Sequence, residues 1–159
     1  TIAPGTTRNF ALPLLKTSGL IPEKDFFLSF SPERVDPGNE KFNIFNTPKV
    51  VSGLGINSLS LAKEFYESFV EHVVSVSSLE IAEMSKILEN TFRFVNISLM
   101  NELLNYTNPL GINLWETIDA ASTKPFGFLP HYPGPGIGGH CIPVDPYYLL
   151  DDARKRGIN

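Results

Sequence analysis

One cysteine stands in a run of glycines and prolines, and its surroundings suggest chemistry. Cys141 is the only cysteine of the chain and follows Gly138, Gly139 and His140. Glycine lets the backbone approach a ligand closely and proline restricts the backbone, so the thiol is presented on a defined, irregular loop. The common alternative is a buried, inert cysteine, because unpaired cysteines are often core residues. The backbone-breaking residues and the nearby Asp145 are untypical of a core segment and favour a nucleophilic thiol.

A second polar group lies on a segment that is expected to be helical. Glu83, Lys86 and Asn90 follow one another at spacings of three and four, so their side chains project from one side of a helix. An ammonium and an amide held there could stabilise charge that develops on a substrate oxygen. The alternative is a solvated stripe with an ion pair between Glu83 and Lys86, which is common and contributes little energy.

A carboxylate is the third chemical group, in the segment from Ser31 to Gly38. This segment follows a predicted strand, and loops after the carboxyl ends of strands often carry ligand-binding groups in α/β folds. Glu33 is therefore placed for acid-base work. The same composition of Pro, Glu, Asp and Gly is also typical of an ordinary surface turn.

The elements that would position these groups alternate in the first half of the chain. Three short apolar runs have the composition of buried strands, at 26–30, 49–52 and 73–76. An amphipathic helix is predicted over 57–70, with Asn57 or Ser58 as its cap. The order predicts an α/β layer.

The second half is predicted to be mostly helical. Neither Pro nor Gly occurs from Leu79 to Tyr106, and apolar residues recur there at helical spacing, which predicts one long helix. A second helix is predicted from Asn113 to about Ser122, and a third from near Pro146. Because the long helix is apolar on more than one side, it is expected to pair with a second copy of the chain.

Composition limits the classes of function. With 159 residues, 42% of them hydrophobic, the chain can bury a sizeable core. A net charge of -4 and no basic run argue against nucleic acid as a partner. A single Cys and three His give no zinc-type spacing and no metal site is expected, and the lone Cys allows no internal disulfide. No apolar run reaches the roughly 18 residues of a membrane span. A cytoplasmic protein is expected.

Four segments together resemble the UDP-glucose/GDP-mannose dehydrogenase family, and the resemblance runs through nearly the whole chain. They are Thr1-Ile-Ala-Pro-Gly-Thr-Thr7, Ser31-Pro-Glu-Arg34, Ser85-Lys86 with Asn90, and Gly138-Gly-His-Cys-Ile-Pro-Val-Asp145. Within the family the chain is most similar to the enzymes that act on UDP-N-acetylhexosamines, such as UDP-N-acetylglucosamine. UDP-glucose and GDP-mannose remain alternative substrates.

The resemblance implies oxidation of the sugar's sixth carbon to a carboxylate, with two NAD+ reduced in succession. Cys141 would form a thiohemiacetal and then a thioester. The resemblance also implies that Lys86 stabilises the oxyanions and that Asn90 helps to hold the sugar and its water. Glu33 would be the base for thioester hydrolysis, while Thr1 and Asp145 would order the catalytic water.

The resemblance also implies which residues bind the cofactor and the substrate. The residues expected near the nicotinamide are Thr1, Glu33 and Cys141. Those expected along the nucleotide sugar are Tyr132, Gly134, Gly136 and Gly138, besides Lys86 and Asn90.

The same resemblance implies a domain organisation. Residues 1–77 would be the C-terminal part of a Rossmann-like parallel sheet layer, and 78–159 a helical, dimer-forming central domain with one long spine helix. The chain starts without Met and lacks a dinucleotide fingerprint, since the glycines of Gly134 to Gly139 follow prolines rather than a strand. It is therefore expected to be a fragment, inactive alone, that lacks an N-terminal NAD domain and a C-terminal UDP-binding domain.

Some features leave alternatives open. Glucose-specific members commonly have an acidic residue where this chain has Pro37 and a Lys where it has Val144, which argues against glucose. A cysteine hydrolase or acyltransferase would need a His near the thiol, and the chain offers His72, His131 and His140. A purely structural role, with the long helix serving dimerisation alone, is a further alternative.

Overall fold

The computed structural model of the chain describes residues 1–36 and 38–158, so Pro37 lies outside the described residues. The chain divides into two compact units. One comprises Thr1–Leu88 with Tyr148–Asn159, and the other comprises Glu89–Tyr147. The protein has mixed α/β structure, as the sequence predicts. The predicted domain boundary after residue 77 stays a prediction.

A small sheet forms the centre of the first unit. Its middle strand, β2 (Lys49–Gly53), pairs with β1 (Ser29–Phe30) in antiparallel fashion and with β3 (Val73–Ser75) in parallel fashion, Val50 lying opposite Val74. β2 is buried from Lys49 to Ser52, since it lies between the two other strands and the helix that follows it packs against it. The two outer strands are half-exposed or exposed, so the prediction of three buried strands is right for β2 only.

Helix α2 (Ile56–Glu67) connects β2 to β3, and its first turn is capped from a distant part of the chain. The N-cap residue is Gly55, and the Glu23 carboxylate accepts hydrogen bonds from the N–H groups of Asn57 at 3.0 Å and Ser58 at 3.3 Å. Asn57 and Ser58 are therefore helical residues and not caps, which corrects the sequence prediction. An anion at a helix N-terminus satisfies orphan N–H groups and the helix dipole together.

The remaining elements of the first unit are helical and include the start of the long helix. A π-helical turn at Thr7–Ala11 continues into α1 (Leu12–Lys16). Helix α3 (Leu79–Thr107) is 29 residues long and confirms the predicted spine helix. Its first turns bury Leu79, Ala82 and Ile87, which places this end of the helix in the core of the unit.

The second unit is helical. The remainder of α3 ends in a short 3-10 turn at Asn108–Leu110, and α4 (Leu114–Ser122) follows. The Asn113 side chain caps α4 by accepting from the N–H groups of Trp115 and Glu116, so this predicted helix start is confirmed. A small core holds α3 and α4 together, formed by Met100, Leu114 and Ile118 with Leu103 and Leu104 packed against it. Helix α5 (Asp145–Lys155) begins shortly after Cys141, and from Tyr148 onward it belongs to the first unit.

No helix within residues 1–36 and 38–158 is both long and apolar enough to cross a bilayer.

Candidate active site

The segment from Thr1 to Thr7, called here the first loop, is tied to α3 by a buried carboxylate. Glu83 is fully buried and accepts hydrogen bonds from the Gly5 N–H at 2.5 Å and the Thr7 N–H at 2.8 Å. Each carboxylate oxygen takes one of the two donors, which offsets the cost of burying the group. The alternative of a solvated stripe that includes Glu83 is therefore wrong.

A second carboxylate of α3 holds the residue that follows the first loop. The Arg8 Nε donates to Glu80 at 2.6 Å, and both side chains are partly exposed. The hydrogen bond from Arg8 is the main cause that lowers the pKa of Glu80 to about 2. Two neighbouring turns of α3 thus hold the same stretch of chain.

Two predicted site residues lie close to this arrangement in sequence. Lys86 follows Glu83 by three residues on α3 and is half-buried. Thr1 begins the first loop and is exposed. The i,i+3 spacing puts Lys86 and Glu83 on one side of the helix. The sequence predicts no role for Glu83 beyond an ion pair with Lys86.

Glu33 is exposed and fully engaged in hydrogen bonds. One carboxylate oxygen accepts the N–H groups of Arg34 at 2.7 Å and Val35 at 2.8 Å, and the other meets the Lys49 ammonium at 3.0 Å. Desolvation acts to raise the pKa of Glu33, but these hydrogen bonds outweigh it and the pKa falls below its ordinary value. Lys49 is a buried lysine whose ammonium also lies 5.4 Å from the centre of the Tyr66 ring. The sequence predicts a buried strand at 49–52, but it does not predict that the Lys49 ammonium meets Glu33, because the two residues lie 16 positions apart.

The second unit brings two of the predicted residues into contact. Asn90 and Asp145 are both buried, and the Asn90 amide donates to the Asp145 carboxylate across 55 positions of the chain. Asp145 opens α5, and its N–H donates to the carbonyl of Cys141 at 2.8 Å. The backbone of Cys141 is therefore fixed by the same residue whose side chain reaches Asn90.

The thiol itself is open to solvent. Cys141 is exposed and unpaired, so the alternative of a buried core cysteine is wrong. Its side chain stands on a turn in which the N–H groups of Val144 and Asp145 both donate to its carbonyl. A thiol presented in this way can be reached by a small molecule.

The glycine loop, defined here as Gly134 to Gly139, precedes the cysteine and is exposed apart from half-buried Ile137. Gly136 and Gly139 have φ angles of 127° and 92°, a region that side-chain-bearing residues rarely adopt. The Gly134 N–H donates to the Asn101 side chain at 3.0 Å. Two groups expected on the nucleotide sugar thus have protein partners, since the Tyr132 hydroxyl also donates to Asp119 at 2.7 Å. Gly138 is exposed with open space around it.

The histidines of the second unit do not form a catalytic pair with the thiol. His131 points its Nδ1 at the Leu129 carbonyl at 3.0 Å, and its ring meets that of Phe92 edge-on at 5.6 Å. His140 is exposed next to Cys141. Among the described residues of this unit, no histidine hydrogen-bonds to the Cys141 sulfur, so neither His131 nor His140 forms the pair that the hydrolase alternative requires.

The turn between β2 and α2 is the place where a dinucleotide could bind, because β2, α2 and β3 form a parallel βαβ unit and such units carry the glycine fingerprint there. It contains Gly53 and Gly55, but Ser58 stands where the fingerprint has its third glycine. The helix N–H groups that would hold a pyrophosphate already donate to the Glu23 carboxylate. A Cβ on Gly55 would also collide with that carboxylate. The turn therefore does not fit NAD.

Metal ligands are also not assembled in the part of the chain that the structure describes. No group of three or more His, Cys, Asp or Glu residues there could hold an ion.

The second half of the chain matches a known protein family. A sequence model matches residues 80–159 and describes the central domain of nucleotide-sugar dehydrogenases, which are oxidoreductases. The chain belongs to the UDP-glucose/GDP-mannose dehydrogenase family. The family named from the sequence motifs is thereby confirmed.

Individual relatives are similar over almost the whole chain. A UDP-N-acetyl-D-mannosamine dehydrogenase of Pyrococcus horikoshii is 40% identical over 98% of the chain and 37% of that relative. A UDP-N-acetyl-D-glucosamine 6-dehydrogenase of Pseudomonas aeruginosa is 40% identical over 100% of the chain and 38% of that relative. A solved structure of the UDP-D-ManNAc dehydrogenase from P. horikoshii superposes with a TM-score of 0.88 over 97% of the chain and 37% of its own length. The chain thus spans a little over a third of these relatives.

Proposed function

We propose that the whole protein containing this chain is a cytoplasmic, NAD-dependent UDP-N-acetylhexosamine 6-dehydrogenase that forms the corresponding uronic acid. The observation that carries this proposal is an exposed thiol whose backbone is held by Asp145, a buried residue bonded to Asn90. The similarity to relatives named for UDP-N-acetylmannosamine and UDP-N-acetylglucosamine supports the class of sugar. UDP-glucose and GDP-mannose are the alternative substrates.

In this proposal the reaction is two oxidations and one hydrolysis. NAD+, when bound to the whole protein, accepts the hydride in each oxidation. The first oxidation converts the CH2OH group to an aldehyde and releases one proton. The Cys141 thiolate then adds to the aldehyde carbon, and the carbonyl oxygen takes up one proton, equivalent to the one released in the first oxidation, to become the hydroxyl of a thiohemiacetal. Loss of a hydride and a proton gives a thioester, and water cleaves its C–S bond to yield the carboxylate and the free thiol.

The chain's polar residues have separate tasks in this scheme. Lys86 stabilises the negative charge on the sugar oxygen during each step. Asn90 holds the sugar hydroxyl or the attacking water, and its bond to Asp145 fixes the direction of its amide. Asp145 and Thr1 order the water. The glycine loop and Tyr132 lie along the nucleotide sugar, and the hydrogen bond from the Tyr132 hydroxyl to Asp119 holds the tyrosine side chain.

Glu33 is proposed as the base for thioester hydrolysis. Hydrogen bonds from Arg34, Val35 and Lys49 lower its pKa, so the carboxylate is ionised at neutral pH, as a base must be. The same bonds make it a weaker base, because a lower pKa means less affinity for the proton. Glu33 therefore acts together with the other groups that orient the water.

The protein is also proposed to act as a homodimer through α3. Phe92, Val95, Leu99 and Tyr106 recur at helical spacing in the second unit, and all four side chains are exposed. Exposed apolar stripes of this kind typically mark a surface that another chain covers. A dimerisation role is compatible with the enzymatic one, and sedimentation of the whole protein measures it.

The decisive experiment is replacement of Cys141 by Ser in the whole protein, with His140→Ala as the matched control from the same loop. Cys141→Ser is expected to abolish uronate formation, because the serine hydroxyl is a far weaker nucleophile than a thiolate. Two NADH per sugar are expected from the native protein. His140→Ala is expected to keep both the turnover and this ratio. Uronate production by the serine variant would refute the thioester route, and loss of turnover in the histidine variant would favour the hydrolase-type pairing.

A further inference from the structure

Glu83 is the most deeply buried charged side chain outside the groups with proposed chemical roles. Its exposed fraction is 0%. Its carboxylate accepts from two backbone N–H groups of the first loop, which lie 78 and 76 positions earlier in the chain. A buried carboxylate is costly unless donors surround it, so such a contact specifies where the loop lies rather than merely adding stability.

The local backbone is suited to this contact. Gly5 is buried and has a φ angle of 90°, which lets its N–H and that of Thr7 point to the same carboxylate. The Thr6 hydroxyl donates to the Ala3 carbonyl at 2.6 Å and closes the turn that precedes them. The first loop is thus folded around one anchor on α3.

That anchor lies one helical turn before Lys86. Glu83 and Lys86 are three residues apart on α3 and share one side of the helix. A loop fixed to Glu83 is therefore fixed beside the turn that carries Lys86. The chemistry proposed above uses Lys86 and Asn90 of α3, and it does not require an acid at position 83.

We infer that Glu83 is a positioning residue, which holds the first loop, and with it Thr1, in a fixed place relative to Lys86. This inference rests on the proposed function for the roles of Thr1 and Lys86. Glu83 does not touch the substrate in this scheme. Its two hydrogen bonds decide how closely a water ordered by Thr1 and an oxygen stabilised by Lys86 can meet, and small displacements of such groups have large effects on rate.

Three variants of the whole protein separate this role from a general contribution to folding. Glu83→Gln keeps the size of the side chain, but its amide can accept only one of the two N–H groups and turns a donor toward the other. Glu83→Ala removes both acceptors. Glu80→Gln is the matched control, because Glu80 lies one turn earlier on the same helix and holds Arg8 through a partly exposed ion pair.

Hydrogen exchange measured by mass spectrometry shows how firmly Glu83 holds the first loop, and it does not depend on enzymatic activity. Residues 1–8 are expected to exchange slowest in the native protein, faster in Glu83→Gln and fastest in Glu83→Ala. Glu80→Gln is expected to resemble the native protein at Gly5 and Thr7. Unchanged exchange of this segment in Glu83→Gln would overturn the inference, and so would an equal change in Glu80→Gln. If Glu83→Ala does not fold, the glutamine variant alone decides.

Steady-state kinetics measures the effect of a displaced first loop on turnover. With UDP-N-acetylglucosamine or UDP-N-acetylmannosamine as substrate, Glu83→Gln is expected to lower kcat by roughly 10- to 100-fold per titrated Cys141 thiol, as for misplaced catalytic groups. KM for the sugar should change little, and Glu80→Gln should keep kcat. An unchanged kcat per titrated thiol would assign Glu83 a structural role only. Native protein that oxidises no nucleotide sugar would instead refute the proposed function, and hydrogen exchange would still decide the anchor.

Discussion

The first loop and the glycine loop each contain a glycine with nearly the same backbone angle, yet their surroundings differ. Gly5 has φ 90° and is buried, with its N–H bound to Glu83. Gly139 has φ 92° and is exposed, and a Cβ on it would meet nothing within 4 Å. The first loop is therefore held in place by the protein, whereas the glycine loop has room for a ligand. One loop is suited to positioning, and the other to binding.

The strongest test of this difference replaces each glycine by alanine. Gly5→Ala is expected to destabilise the protein by about 2 kcal/mol, because the bond to Glu83 prevents the loop from relaxing out of the left-handed region. A new Cβ there would also lie 2.8 Å from the Asn9 side-chain nitrogen, which must move. Gly139→Ala is expected to cost at most about 1 kcal/mol, since the exposed loop can adjust and the unfolded chain loses entropy. Urea unfolding measures both values, and equal costs would contradict the comparison.

A smaller effect is expected from the hydrogen bond that holds the glycine loop. Asn101→Ala removes the acceptor of the Gly134 N–H, which is exposed and can bond to water instead. The loss of stability should be about 0.5 to 1 kcal/mol, the usual value for such a bond. The KM for the UDP-sugar should rise more than kcat falls, because the loop is proposed to bind rather than to react. A change confined to kcat would argue that this loop, too, positions reacting groups.

The smallest effect is expected at the partly exposed ion pair between Glu80 and Arg8, the residue that follows the first loop. Arg8→Gln should cost less than about 1 kcal/mol at pH 7, because solvent screens the ion pair with Glu80. The pKa of Glu80 is lowered from 4.5 to about 2, chiefly by the hydrogen bond from Arg8, so the contribution of the pair is fully present above pH 4.5. It is lost as the pH falls toward about 2. The difference between the native protein and the variant, measured by urea unfolding, should shrink over that interval; a constant difference would show that Arg8 acts through packing.

Local sequence patterns predicted where the helices and strands lie better than they predicted how these elements are capped and buried. The long helix, the start of α4 at Asn113 and the middle strand follow from residues close together in the chain, and all three were predicted. The cap of α2 was not, because it comes from Glu23, more than 30 positions before the helix N–H groups that it accepts. The expected burial of the outer strands also failed, since burial depends on what lies against a strand.

The candidate site divides in the same way. Cys141, Lys86, Asn90, Asp145 and Glu33 were singled out from motifs, and the family named from them is confirmed. The contact between Asn90 and Asp145, the engagement of Glu33 by Lys49 and the anchor at Glu83 were not foreseen. Helical spacing shows that Glu83 shares a side with Lys86, but it cannot show that a loop from the start of the chain covers that side.

The amino-acid sequence by itself determined the family, the helix-rich second half and the reactive residue types, because these depend on motifs and on periodicity within short segments. Only the tertiary structure decided which carboxylates are buried and which backbone N–H groups they accept. The physical reason is that a carboxylate can be removed from water only where donors from distant segments converge on it, and this convergence exists only in the folded chain.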